Sequence, residues 1–121
     1  MLLDSNILID LLRGRAEAKR FIQTLGKRPS TSVICAMELL AGARSRAEER
    51  SIDKLFQHAP PFDVTDPIAR RAGQFLKHYR NSHGVTDPDA LIAATAEHHG
   101  LMLATRNVKH FPMFPKLMAA Y

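Results

Sequence analysis

Residues 1–7 read MLLDSNI: three apolar residues, then an aspartate, a serine and an asparagine, before the chain turns apolar again through Ile7, Leu8 and Ile9. Met1 to Leu3 reads as a strand and about Ile7 to Leu12 as a short helix. Asp4 then stands at the carboxyl end of a first strand, the edge where open α/β sheets place their ligands. An acid and an amide inside the first apolar segment call for a reason beyond solubility.

Outward from this stretch the chain alternates short strands with longer helices. A helix is expected over Glu17 to Leu25, and Pro29-Ser30-Thr31 breaks the pattern. Ser32 to Ile34 reads as a strand edge leading into an apolar helix that reaches about Ala43. In Arg46 to Gln57, Ile52, Leu55 and Phe56 recur at spacings of three and four, the mark of an amphipathic helix that Pro60-Pro61 ends. Phe62-Asp63-Val64 fits a strand, and Thr65 or Asp66 with Pro67 signals a helix reaching about Arg80. Asn81 to Val85 reads as a polar loop. A further helix begins at Pro88 and stops before Gly100, and Leu101 to Ala104 is a last strand. Strands separated by helices imply parallel pairing with right-handed crossovers.

Bulk properties agree with a single α/β domain over residues 1–121. A chain of 121 residues buries about two-thirds of its extended surface on folding. An apolar fraction of 45% and a charged fraction of 24% are those of a globular protein, not a disordered one. The one cysteine, Cys35, has no intrachain partner, which suits a reducing cytoplasm. No apolar stretch approaches the 18 or more residues of a membrane span, and no targeting segment is expected. The 17 Lys plus Arg against 12 Asp plus Glu give a net charge of +5, which suits an anionic partner or simply solubility.

The acids are the unusual feature. Glu38 is the only ionisable group besides Cys35 in VICAMELLAGA, residues 33–43, a helix apolar on nearly every face and therefore expected to be buried. Asp87-Pro88-Asp89 opens another apolar helix, ALIAATA; Pro88 at the first helical position makes Asp87 a natural N-cap. An uncompensated buried charge costs several kcal/mol in a domain stable by only about 5–15 kcal/mol. Either these acids do not converge, or they share protons, or a cation sits among them. No Lys or Arg lies within a helical turn of Asp4 or Glu38, and carboxylates with an amide oxygen and water form the hard donor set that Mg²⁺ or Mn²⁺ prefers. Simpler roles stand beside this one: Asp4 or Ser5 as a helix cap, Glu38 as a half-exposed residue, Asp89 as a partner of the helix dipole, and Asn107 as an Asx turn. His98-His99 lack the i, i+4 spacing of a zinc site.

Together MLLDSNILIDLLRG, CAMELLAGA, GVTDPDALIAATA and LATRNVKHF resemble, in order and spacing, the PIN-domain ribonucleases, in particular the VapC-type toxins of bacterial toxin–antitoxin pairs. The resemblance implies a three-layer α/β/α sandwich around a central, mainly parallel sheet, with an acidic pocket that binds Mg²⁺ or Mn²⁺ and cleaves RNA. It casts Asp4, Glu38 and Asp89 as the metal-binding acids, with Asn6 and Thr105 as polar support. Where many members carry a fourth acid, VKHF has His110; Asp87, or Asn107 with a water, would then complete the shell, with one metal ion or two. The resemblance also implies a small VapB-like antitoxin that inserts a basic side chain into the pocket, and a homodimer. Arg13, Arg15, Arg44, Arg46, Arg106 and Lys109 flank the four motifs and are the candidates for RNA phosphate contacts.

Other classes fit less well. A haloacid-dehalogenase-like phosphotransferase needs Asp-x-Asp, which Asp4-Ser5-Asn6 is not, and six scattered glycines form no phosphate-cradling loop. A non-catalytic module whose acidic pocket holds only antitoxin or RNA remains the alternative.

Overall fold

The computed structural model describes residues Met1–Tyr121. Its elements run β1 (Leu2–Leu3), α1 (Ser5–Leu12), α2 (Ala16–Thr24), β2 (Thr31–Ser32), α3 (Val33–Ala41), α4 (Arg46–His58), β3 (Pro61–Phe62), α5 (Asp66–His83), α6 (Asp87–His98) and β4 (Leu103–Ala104), followed by a 3₁₀ turn over Val108–His110.

All strand pairing is parallel. β1 pairs with β4, β2 pairs with β3, and a bridge from Leu2 to Ser30 joins the two pairs into the order β3-β2-β1-β4. The chain therefore moves one way from β1 through β2 to β3, then crosses back over to β4 on the far side of β1. Right-handed crossovers in opposite directions carry their helices to opposite faces, which makes an α/β/α sandwich. The reversal leaves a crevice between the carboxyl ends of β1 and β4, the place where such sheets bind ligands. Asp4 follows β1 and Thr105 follows β4, so both stand at that crevice.

The core explains why the strands can be so short. Leu2, Leu3, Ile7, Leu8, Ile68, Ile92 and Phe111 are all fully buried, so sheet and helices share one apolar interior. α6 is nearly engulfed, with Ala90, Ile92, Ala93, Ala94, Thr95 and Ala96 all buried. Its small side chains let neighbouring helices approach closely, and α5 packs along it.

Several boundaries differ from the expected ones for identifiable reasons. α1 begins at Ser5 because Asp4 caps it, its Oδ1 accepting from the Ser5 amide. α5 runs through Asn81 and Ser82 to His83, where a loop was expected; the stop is Gly84, whose φ of 65° is the left-handed C-cap conformation glycine supplies. Thr86, not Asp87, caps α6: its hydroxyl accepts from the Asp89 amide at 3.3 Å. α3 is not buried all round, since Met37 is 52% and Leu40 43% exposed. Loss of the α6 cap through Thr86→Ala should cost about 1 kcal/mol, read as a lower urea midpoint at unchanged m-value.

Candidate active site

Asp4 is 5% exposed, and its carboxylate is surrounded by donors. Oδ1 accepts from the Ser5 amide at 2.8 Å; Oδ2 accepts from the Thr105 hydroxyl at 2.7 Å and from the Asn6 amide at 3.2 Å. The Asn6 amide also donates to Thr105 Oγ1 at 3.2 Å, and its Oδ1 accepts from the Arg106 backbone at 3.3 Å. Thr105, fully buried, accepts from the Asn107 backbone as well. Three donors leave one of the roughly four lone-pair positions of a carboxylate free.

Ser5 links this acid to the second. Its hydroxyl donates to Glu38 Oε1 at 2.7 Å, while its backbone N–H serves Asp4. Glu38 projects from the middle of α3, which starts directly after β2 and so places its first turns at the carboxyl edge of the sheet. Asp89 comes from the first turn of α6, its side chain 14% exposed, with His110 Nδ1 3.5 Å from its Oδ2.

The electrostatics follow from this crowding. Burial pushes the Asp4 carboxyl above its ordinary range and Asp89 repels it further, against the pull of Thr105, Ser5 and His110. Burial likewise raises Asp89, with Glu38 adding repulsion and Thr86 and His110 opposing it. The three acids therefore do share one field, with His110 as the facing imidazole. Cys35 is no nucleophile for this site: it is buried, its thiol donates toward the Leu3 carbonyl at 3.5 Å, and burial pushes its pKa up to about 12.

No three His, Cys, Asp or Glu side chains close on one point as a finished metal shell. The donor chemistry nonetheless suits Mg²⁺, which keeps several of its waters and is held through one or two carboxylates. Asp4, with a lone pair to spare, and Glu38 and Asp89 near it are the side chains that would hold such an ion.

Other expected site residues are placed elsewhere. Asp87 is corrected on two counts: it does not cap α6, and its carboxylate, 69% exposed, pairs with Arg80 at 2.7 Å, not with the acids. Asn107 reaches the cluster only through its backbone N–H. Arg13 and Arg44 line, with Glu38, a groove between α1, α3 and α4. Arg15 and Arg106 converge on Asp10, and Arg46 and Lys109 lie exposed on α4 and on the 3₁₀ turn. Ser5 and His110 were not expected as members of the cluster. The hydroxyl beside the first acid was the available signal for Ser5, and the replaced acid for His110.

A buried acid at the switch point of a parallel sheet, with two further acids from separate helices in its field, makes this carboxylate cluster the candidate active site. The model of the family described as PIN domain matches residues 1–114. The chain is 40% identical to Ribonuclease VapC19 of Mycobacterium tuberculosis over 99% of its own length and 98% of that protein. It is 42% identical to Ribonuclease VapC10 of the same species, over 97% and 90%. A toxin–antitoxin complex from Klebsiella pneumoniae contains a chain that superimposes with a TM-score of 0.83 at 34% identity, covering 99% of this chain and 97% of that one. The chain belongs to the PIN-domain family, among its VapC ribonucleases.

Proposed function

We propose that this chain, a single domain over residues 1–121, is the toxin of a toxin–antitoxin pair. It is an endoribonuclease that hydrolyses RNA phosphodiester bonds at Asp4, Glu38 and Asp89 with Mg²⁺ or Mn²⁺. The observation that carries this reading is the Ser5 link: one residue serves a buried Asp4 and a distant Glu38 at once, within the field of Asp89. Similarity along nearly the whole chain to proteins named ribonucleases supports the activity.

Asp4, Glu38 and Asp89 would hold a divalent ion, which would lower the pKa of a bound water and offset charge developing on the phosphate oxygens. The protein's own residues do the positioning. Thr105, Asn6 and the Ser5 amide fix the Asp4 carboxylate, and the Ser5 hydroxyl fixes Glu38. The excess of Lys and Arg offsets the repulsion between an acidic pocket and a polyanion. Thr105→Val removes a hydrogen bond to a charged group and should slow cleavage about tenfold, measured as the single-turnover rate.

The groove beside Glu38 is lined by Ile9, Leu12, Leu39 and Ile52, with Arg13 and Arg44 at its sides; Met37 and Leu40 add exposed apolar area on α3. It suits an amphipathic segment of a small VapB-like antitoxin, ending in a basic side chain near Glu38. The Klebsiella pneumoniae neighbour, described as a toxin–antitoxin complex, supports such a partner. The toxin itself is read as a homodimer sharing the cytoplasm with its RNA.

The test is incubation of antitoxin-free protein with total bacterial RNA, including tRNA, with Mg²⁺, Mn²⁺ or EDTA. Discrete fragments that vanish in EDTA are expected. Binding of RNA without cleavage under every condition would instead support the non-catalytic module, a reading that the His110–Asp89 contact favours.

A further inference from the structure

Asp10 is a buried acid outside the pocket, 4% exposed and one turn along α1 from Asn6. Its Oδ2 accepts from the Tyr121 hydroxyl at 2.6 Å and from Arg106 Nη1 at 2.9 Å, and its Oδ1 from Arg15 Nη1 at 3.4 Å. Burial alone would raise its pKa, but the Tyr121, Arg106 and Arg15 contacts outweigh it, and the carboxyl is held below its ordinary range.

Arg106 is tied at both ends. Its backbone N–H donates to Asn6, whose amide in turn donates to Asp4, while its guanidinium rests on Asp10. The guanidinium also lies 5.5 Å over the Tyr121 ring. Tyr121 is brought there by a bond from the Ala120 amide to the Thr105 carbonyl at 2.9 Å, and its ring leans on Phe21. The Arg106 side chain nevertheless stays 38% exposed.

Arg15 also pairs with Glu17 at 3.8 Å, and Asp10 takes only Nη1 of Arg106, so the exposed part of the Arg106 guanidinium keeps donors free beside the acidic pocket. A flexible arginine loses rotamer freedom when it grips a phosphate, and prior fixing lowers that cost. We propose that Asp10, together with Tyr121, is a positioning residue: it holds the Arg106 guanidinium at the rim of the Asp4 pocket to receive a backbone phosphate of bound RNA. The inference rests on the ribonuclease reading of that pocket.

The experiment measures binding of a fluorescein-labelled single-stranded RNA of mixed sequence by anisotropy, in EDTA and at a series of salt concentrations. The proteins are wild type, Asp10→Asn, Arg106→Ala and the double variant. Arg106→Ala should weaken binding about threefold to tenfold and reduce the salt slope by about one contact. Asp10→Asn should weaken binding similarly alone, and by less than about twofold in the Arg106→Ala background, because coupled residues are non-additive. A purely structural Asp10 would change thermal stability without moving the salt slope. Tyr121→Phe deletes one hydroxyl and carries the same test should Asp10→Asn not fold, with a smaller expected loss of about twofold. Unchanged binding by the Asp10 and Tyr121 variants, an equal Asp10 effect with and without Arg106, or no RNA binding by wild type at low salt would overturn the inference. Because binding is read without turnover, a failure of the cleavage reading shows separately, as RNA left uncut by wild type in Mg²⁺.

Discussion

Asp4→Asn protein should cut RNA about a hundredfold to a thousandfold more slowly than wild type, the loss typical when a preorganised electrostatic group is removed from a hydrolytic site. The substitution keeps the shape of the side chain and removes its charge. Wild-type Asp4 is fixed by three donors, from Ser5, Asn6 and Thr105. Asp89→Asn should lose a comparable factor, and the double variant little more, since residues acting as a unit are not additive. Single-turnover rates on one RNA pool decide this. A rate within a few-fold of wild type for Asp4→Asn would place the chemistry elsewhere.

Divalent ions should stabilise the fold, and the pH dependence gives the sign. Asp4 and Asp89 have folded-state pKa values above the ordinary 3.8. Ionising either one therefore costs folding free energy: with respect to these groups stability is greatest below pH 3.8 and is lost as pH rises through the folded-state values. Above those values the two charges repel each other, and a bound cation would offset that cost. At tenfold to a hundredfold excess over its Kd, Mg²⁺ or Mn²⁺ should add about 1.4–2.7 kcal/mol, or roughly 4–12 °C in Tm for a chain of this size. Calorimetry at neutral pH with and without the ion tests it. The shift should shrink near pH 4 and vanish in Asp4→Asn/Asp89→Asn; an equal shift in that variant would mean the ion binds elsewhere.

Much of this was legible in the chain because local patterns carry it. The apolar run ending at Asp4 marks a strand edge by itself, and the lone Glu38 in VICAMELLAGA marks a polar demand inside an apolar helix. The parallel sheet followed from alternation of strand and helix, and the switch point between β1 and β4 then brings Asp4 to Thr105, 101 residues away. What failed was decided by competition between neighbours. Asp87 and Thr86 are both good caps; Pro88 favoured Asp87, but Thr86 has the hydroxyl that reaches the Asp89 amide, and Asp87 is left to Arg80. Asn81 and Ser82 look like loop residues, yet α5 continues until Gly84 supplies the left-handed turn. The exposed Met37 and Leu40 are apolar residues that the fold itself leaves uncovered, which no hydropathy pattern distinguishes from core. The Asp10–Tyr121 bond joins residues 111 apart and has no local signature.

The chemistry of the cut ends decides whether Asp4, Glu38 and Asp89 carry the cleavage. RNA fragments made by the wild-type protein with Mg²⁺ would be labelled with and without prior phosphatase treatment, and their 3′ ends tested for ligation. Water attacking the phosphorus in line with O3′ breaks the P–O3′ bond and leaves a 5′-phosphate and a free 3′-hydroxyl, the products the resemblance to PIN-domain ribonucleases implies and the result predicted here; Asp4, Glu38 and Asp89 would hold the ion that lowers the pKa of that water. Fragments with a 5′-hydroxyl and a 2′,3′-cyclic phosphate, formed equally well in EDTA, would mean that the ribose hydroxyl is the nucleophile, and would contradict the assignment of catalysis to Asp4, Glu38 and Asp89.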